Sequence, residues 1–560
     1  MKPHPPSACS LLPILLLATC NIELSLAGPA EVSQLKLEGE MVTLSALGPT
    51  THLAPALPDP LTWASSDPAV AIVEHGWVFG KRPGIAQISV RSAGHDPVIY
   101  SVKVNPGAEL RPALANPVRI SGFIKREGNQ LMADGKPFRF ISWNVPNLHV
   151  LEDASWAQQA KNAEPFIWHR IASAEQEDAV KAVAEMGGQV IRCYTLSVEG
   201  GRRNRNGPSH YTGPAAPLNE ELMTDYDRMI AICGKHGIRL ILPLIDEWDW
   251  FGGRHEFAKL SGGGDFYTDP KVINDFKRLI ATVVNRVNTV TGVAYKDDPA
   301  IMAWETGNEL QHVPKAWTAE MAAWLKQQAP NQLVSDGANG SIESIEDPNI
   351  DMVTDHFYGG DDFIARTLRC KERMGTKKPL FIGEFGCTTA DIELGTMDAV
   401  LQNGLTGALL WSLRFHSADG GFYWHDKGRE AYHWPGFHSN DRSEEIAVLT
   451  GMRERAWAIR GYLPPPREKP EAPTLLPQST PSSLLWMGST GAERYVLERS
   501  PDGVQWSTVA EDLSDADEPF KPYTDSTASS TGEVYYRMKA VNVAGESPWS
   551  SAIRVKSVVH

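Results

Sequence analysis

Between residues 115 and 463 short apolar runs recur along the chain, separated by segments whose apolar residues return every three or four positions. Eight runs stand out: "RFISWN" (139–144), "QVIRCY" (189–194), "RLILPLI" (239–245), "IMAWE" (301–305), "QLVSDG" (332–337), "MVTDHFY" (352–358), "PLFIGEF" (379–385) and "GALLWSL" (407–413). Near-continuous apolar strands are buried on both faces, as in a parallel sheet. The intervening segments, such as "ASAEQEDAVKAVAEMG" and "NEELMTDYDRMIAICGKHG", carry helical periodicity and end at glycine, which helix C-termini favour. Eight β/α repeats predict an α/β fold, a TIM (β/α)8 barrel over residues 115–463. A doubly wound open sheet is the competitor, but no glycine-rich phosphate loop follows the first run.

The flanks have a different period. "LTWASSDPAVAIVEHGWVFGKRPGIAQISVRSAG" alternates apolar and polar residues and breaks at Asp67-Pro68, Gly76 and Pro83-Gly84, which predicts a small β-sandwich over 28–110. Residues 464–473, "PPPREKPEAP", predict an extended, semi-rigid linker. Residues 474–560 again read as an all-β sandwich. With such a spacer between them, removal of residues 467–560 is expected to leave the working of the middle region nearly unchanged.

A TIM barrel builds its active site at the C-terminal ends of its strands. The runs end near Asn144, near Arg192, in Asp246-Glu247-Trp248, in Asn308-Glu309, in His356 and Tyr358, in Glu384, and in Trp411. Singly, each has a minor structural reading: Arg192 as an ion-pair member, His356 as a core histidine and Trp411 as barrel filling. Seven of eight strand ends carrying polar or flat aromatic residues points instead to a site. Glu309 and Glu384 are 75 positions apart, or three β/α units, which sets them across the barrel mouth.

Two carboxyls about 5–5.5 Å apart perform retaining glycoside hydrolysis, one as nucleophile and one as acid/base. Arg192 and Tyr358 suit Glu384 as donors to an ionised nucleophile. Glu309 suits the acid, with its pKa raised by burial or by the other carboxylate. Asn308 could donate to a sugar hydroxyl, and Trp411 offers a flat face to the ring. Glu305 reads as structural. Gly383 and Gly386 let backbone and ligand approach closely. No cofactor is expected, and no metal: His255-Glu256 and His425-Asp426 lack an evident third ligand.

Composition narrows the partners. The formal charge of −15 argues against nucleic acid. Of 17 tryptophans, 12 fall between residues 143 and 457, so the aromatic surplus belongs to the middle region. The start, "MKPHPPSACSLLPILLLATCNIELSLAGPA", reads as a signal peptide cleaved after Ala27, so a secreted protein without a membrane span is expected. Lipoprotein anchoring at Cys20 is the weaker reading, because Thr19 precedes it. Cys193, Cys233, Cys370 and Cys387 remain, either as disulfides or as free thiols. Nothing in the sequence points to oligomerisation, so a monomer is expected.

The passages "VVNRVNTVTGVAYKDDPAIMAWETGNEL" (283–310), "EWDWFGG" (247–253), "HFYGG" (356–360), "FIGEFG" (381–386) and "GALLWSLRFHSADGGFYWH" (407–425) resemble glycoside hydrolase family 5, more narrowly its secreted endo-β-1,4-mannanases. The resemblance implies Glu309 as acid/base and Glu384 as nucleophile. It implies Arg192, Asn308, His356, Tyr358, Trp411, Trp248 and Asn144 as substrate-site residues, and a β-mannan-type polysaccharide as substrate. Leu310-Gln311 replaces the family's usual Pro-Arg, and Gln311 cannot make that arginine's charge-assisted contact. "WASSDPAVAIV" and "GIAQISV" resemble a bacterial immunoglobulin-like group 2 domain. "RYVLERSPDGVQWSTVA" and "VNVAGESPWS" resemble fibronectin type III. The basic stretch 200–214 is expected either as a loop over the cleft or as a solvated excursion. An exo-acting mannosidase or transglycosylase, a β-glucanase on the same barrel, and a non-catalytic glycan-binding protein are the alternative functions.

Overall fold

The computed structural model describes residues 41–556 except 59, 75, 108, 114–119, 154–166, 202–206, 339–343, 425–430, 438–443, 518–519 and 529–531. The signal peptide, Cys20, residues 28–40 and His425-Asp426 lie outside the described residues.

Eight parallel strands form the central sheet: β1 (Phe140–Asn144), β2 (Val190–Arg192), β3 (Arg239–Pro243), β4 (Ile301–Glu305), β5 (Leu333–Ser335), β6 (Val353–Phe357), β7 (Leu380–Phe385) and β8 (Gly407–Leu410). They follow one another in order, and β1 pairs with β8, Phe140 opposite Gly407. A bridge between Ser335 and Met352 spans β5 and β6, so the sheet closes into a TIM barrel. Every predicted apolar run is one of these strands.

Helices cover the barrel: α1 (Ser173–Glu185), α2 (Glu220–Lys235), α3 (Arg254–Leu260), α4 (Pro270–Val284), α5 (Lys315–Gln328), α6 (Phe363–Met374), α7 (Ala390–Gln402) and α8 (Glu445–Ala458). Helix α4 shows why the sequence folds so. The Asp269 carboxylate accepts the Lys271 and Val272 N–H groups, Pro270 occupies the first turn, and Val272, Phe276, Leu279, Ile280 and Val283 form its buried face. Strand alternation sends Ile141 and Trp143 outward to the helices. Phe140 joins Val190, Ile241, Met302, Leu333, Phe381 and Leu409 in a second apolar cluster. Ile124, just before the three-stranded sheet 125–138, and Leu131 and Phe138 within it belong to that cluster and close the barrel from below.

Two all-β regions flank the barrel. In the first, strands at 41–45, 98–105, 84–91 and 62–65 form one sheet and strands at 51–52, 77–80 and 71–74 another. Ala86, Ile88 and Val90 enter their shared core from alternate positions. This region is packed onto the barrel. Phe79 meets Ile364, Leu368 and Ala399. Lys81 Nζ lies 2.5 Å from Asp398 Oδ2, and Arg455 grips the same carboxylate at 2.8 and 2.7 Å. Removing one member of a buried ion group leaves the others uncompensated. Asp398→Ala is expected to cost about 3–5 kcal/mol, read by urea unfolding. Lys81→Ala is expected to cost less, because Lys81 is partly exposed.

The second all-β region contains strands 494–500, 507–513 and 533–542 in one sheet. The segment joining it to the barrel differs from a free spacer. Arg467 stacks over the Trp434 ring at 4.7 Å and bonds Glu493 at 3.0 Å, and Lys181 of α1 pairs with Glu471 at 2.9 Å. The proline-rich composition sets an extended backbone, while its charged side chains tie that backbone down on both sides. Among the described residues no helix is long and apolar enough to cross a membrane, and Cys193, Cys233, Cys370 and Cys387 are not joined in disulfides.

Candidate active site

Glu384 near the end of β7 and Glu309 just beyond β4 meet above the barrel, as the spacing predicts. A carboxylate oxygen of each and His356 Nδ1 all lie within 4.8 Å of one another. The Glu384 carboxylate is fully engaged: Arg192 Nη1 donates to Oε1 at 2.6 Å and the Tyr358 hydroxyl to Oε2 at 2.7 Å. Glu309 accepts the Trp248 indole N–H at 2.8 Å and faces His356 Nδ1 at 2.9 Å. Its backbone has φ +51°, a left-handed conformation that costs a non-glycine residue energy and is typical of functional positions.

Arg192 is 1 % exposed and reaches no cleft surface. Beyond Glu384 it donates to Glu305 Oε2 at 2.8 Å and to Asn308 Oδ1 at 2.7 Å. Glu305 is thus the buried counter-charge beneath the arginine, consistent with its structural reading. Asn308 hands its amide N–H to Asp246 Oδ1 at 2.9 Å, and the Tyr194 hydroxyl donates to Asp246 Oδ2 at 2.6 Å. Asp246 therefore fixes two cleft residues without touching the cleft.

Asn144 is corrected by the structure. It points into the barrel beneath the site, and its amide donates to the Gly383 and Leu409 carbonyls at 2.9 and 3.1 Å. It braces β1 against β7 and β8 and is not placed to bind sugar. Gly383 also serves the protein rather than a ligand: a Cβ there would stand 2.7 Å from His356 Nε2.

An open cleft of about 390 Å³ lies over the carboxylates, lined by Asn308, Glu309, Tyr358, Glu384, Trp248 and Trp411. Tyr194, Trp250, Phe251, Asn147, Arg414 and Cys387 also line it and were not singled out from sequence. Trp250 and Phe251 were legible in "EWDWFGG" as neighbours of Trp248. Gln311 turns its amide to the Glu309 carbonyl at 3.1 Å, and Leu310 is buried, so neither lines the cleft. In the stretch 200–214, His210 and Tyr211 are buried against Ser197 and Val198, so this part is neither a cover over the cleft nor solvated.

The proton distribution differs from the expected one. Burial pushes the Glu384 carboxyl up, and the Glu309 charge adds to this against His356, Arg192 and Tyr358. Burial also acts upward on Glu309, but His356 and the Trp248 N–H outweigh it and hold Glu309 below its usual value. Burial lowers His356, while the two carboxylates more than reverse that. The three groups titrate as one unit. Burial also pushes Asp246 up to about 7. Glu309, His356 and Glu384 are the described residues close enough together to hold a metal ion, but they are the carboxylate pair itself, with Arg192 already supplying positive charge. His255 is exposed and 3.9 Å from Glu247, which is held by Arg254.

Residues 257–361 match the sequence profile of GH family 5 beta-mannosidase-like proteins. A mannan endo-1,4-beta-mannosidase 1 of Oryza sativa subsp. japonica is 28% identical over 358 residues, covering 54% of this chain and 78% of its own length. A mannan endo-1,4-beta-mannosidase 1 of Solanum lycopersicum is 30% identical over 264 residues, covering 44% of this chain and 60% of its own. Over the barrel the chain is thus similar to mannan endo-beta-mannosidases of GH family 5. Among solved structures, an endo-1,4-beta-mannanase from Rhizomucor miehei is similar with a TM-score of 0.48 and 20% identity, covering 60% of this chain and 99% of that one.

Proposed function

We infer that this glycoside hydrolase cleaves β-1,4-mannosidic bonds in mannan-type polysaccharides with retention of configuration. The observation that carries the mechanism is the carboxylate separation. One oxygen each of Glu309 and Glu384 lies within 4.8 Å of the other, which is near the about 5–5.5 Å spacing of retaining enzymes and short of the about 6.5–9.5 Å of inverting ones. The mannan assignment is supported by the curated relatives.

In the first step a Glu384 oxygen attacks the anomeric carbon while Glu309 gives its proton to the departing glycosidic oxygen. The C–O bond breaks and a glycosyl ester of Glu384 forms. In the second step Glu309 takes a proton from water, whose oxygen displaces Glu384 and regenerates the carboxylate. His356 Nδ1 stands one hydrogen bond from Glu309, 2.9 Å away, and holds the acid in place. Arg192 and Tyr358 stabilise the Glu384 carboxylate as it is released. The signal-like start supports secretion.

Trp248→Phe keeps a ring in the cleft and removes the indole N–H from Glu309. That donor favours the ionised carboxyl, so its loss raises the Glu309 pKa. The basic limb of the pH profile is expected to move upward, and kcat/KM to fall about tenfold, the worth of one hydrogen bond to a charged group.

The function is tested by reducing-sugar release from mannan, glucomannan, galactomannan, carboxymethylcellulose and xylan. Mannans are expected to be the best substrates, and best activity on cellulose or xylan would overturn the assignment. Product sizes from the same reactions separate endo from exo action.

A further inference from the structure

The loop after β8 forms one wall of the cleft, yet its far end is anchored outside the barrel. Trp411 and Arg414 line the cleft, and Arg414 donates to Asn147 Oδ1 at 2.7 Å. Two residues later His416 turns away. Its backbone N–H and its Nδ1 meet Asp178 Oδ2 of α1 at 2.9 and 2.8 Å. Its Nε2 stands 3.2 Å from Asp515 Oδ2 of the C-terminal β region, an ion-pair contact. All three residues are buried.

Both carboxylates are held in turn. Thr490, also from the C-terminal region, donates to Asp178 Oδ1 at 2.6 Å, and Tyr495 donates to Asp515 Oδ2 at 2.6 Å. The same loop presses two glycines on the C-terminal region. A Cβ on Gly420 or Gly421 would come within 2.7 or 2.5 Å of Phe520. On the other side, a Cβ on Gly488 would stand 2.4 Å from His416 Nε2. Backbone meets ring at both contacts, so the junction closes only in one register.

We propose that the C-terminal β region is a working part of the cleft: Asp515, acting through His416, positions the loop that presents Trp411 and Arg414 to the glycan. Asp515 is a positioning residue and touches no substrate. The proposal rests on reading the cleft as the glycan site. Glu309 and Glu384 lie on other strands and have their own donors, so a loosened loop is felt in binding more than in chemistry. Ordering a mobile aromatic side chain during binding weakens affinity.

The groups facing His416 are Asp178 from α1, Asp515 from the C-terminal region, which also accepts the Tyr495 hydroxyl, and Phe422 from its own loop, whose ring centroid is 3.9 Å away. Glu175 of α1 steadies the same loop by accepting the Ala418 N–H and the Tyr423 hydroxyl. Burial works against the imidazolium, but the two carboxylates push His416 up to about 10. A histidine raised in the folded state contributes stability that is complete below its ordinary value and lost as pH rises toward 10. The clamp therefore holds across acid and neutral pH and releases in alkali.

The test uses full-chain Asp515→Asn and Asp515→Leu on whichever polysaccharide the unaltered enzyme hydrolyses best. A wrong sugar assignment then shows in that preference and leaves the variant ratios intact. KM is expected to rise about five- to tenfold with kcat within about twofold. The alkaline rise in KM is expected to begin at lower pH in Asp515→Asn. Thr490→Val, which removes one hydroxyl, is expected to shift KM in the same direction by less, and serves if the Asp515 variants fold poorly. Lys181→Ala, at an exposed pair of the same junction, is expected to leave KM unchanged. Lower melting temperatures with KM and its pH dependence unaltered would overturn the proposal and leave the region a stabilising attachment.

Discussion

Glu384→Gln is expected to lower kcat by roughly 10⁴-fold or more while the protein folds and binds substrate normally. The amide keeps the carboxylate's volume, and its oxygen still accepts from Arg192, whose Nη1 lies 2.6 Å from Oε1. What it lacks is the nucleophilic charge, so no glycosyl ester can form. Glu384→Ala carries the argument further, because it opens space beneath the anomeric carbon for an added nucleophile. Azide entering there attacks from the face the carboxylate vacated, and the product is the α-glycosyl azide. In Glu309→Ala the ester still forms at Glu384, azide then displaces it, and the product is the β-glycosyl azide. The anomer, read by proton NMR, assigns the two glutamates independently of any rate.

Arg192→Met is expected to have the second-largest effect, and to combine two losses. Arg192 is the buried cation shared by Glu305, Glu384 and the Asn308 carbonyl. Its removal leaves Glu305 buried without its counter-charge, which costs about 3–5 kcal/mol of stability. It also removes a donor aimed at the charge that appears when Glu384 is released, worth about 10²–10³ in kcat. Glu305→Gln separates the two, because it keeps the Arg192–Glu384 contact. It should lose stability while keeping most of the activity. Urea unfolding and kcat measured on both variants check this, and equal activity losses would show that Arg192 acts on the site only through the fold.

The eight apolar runs and their spacing were enough to place Glu309 opposite Glu384, because position along a buried strand fixes which end of the barrel a residue occupies. Side-chain direction at that end was less legible. Asn144 and Arg192 are Cα partners in the β1–β2 pairing and both point into the lumen beneath the cleft. Sequence position alone treats them like Trp411, which faces the substrate side. The directions of the two carboxyl shifts were reversed for a related reason: spacing does not say that the His356 imidazole stands closer to Glu309 than to Glu384, at 2.9 against 3.7 Å.

The docking of the outer β regions was invisible because its partners are remote in the chain. Asp178 and His416 are separated by 238 residues, and Lys81 and Asp398 by 317. A proline-rich segment signals extension, not independence, so the expectation that residues 467–560 are dispensable for hydrolysis is replaced by the expectation that their loss weakens binding. Leu310 and Gln311, where the usual Pro-Arg is absent, remain consistent with altered leaving-group contacts, since neither side chain lines the cleft.

The most direct test of the account is capture of the covalent intermediate. A 2-deoxy-2-fluoro-mannoside with a good leaving group slows both steps by withdrawing charge from the transition state, but its leaving group lets the first proceed. Peptide mass mapping after incubation should find one glycosyl unit on the peptide containing Glu384, and none in Glu384→Gln. An adduct on Glu309, or turnover with no adduct and an α-anomeric first product, would contradict the mechanism.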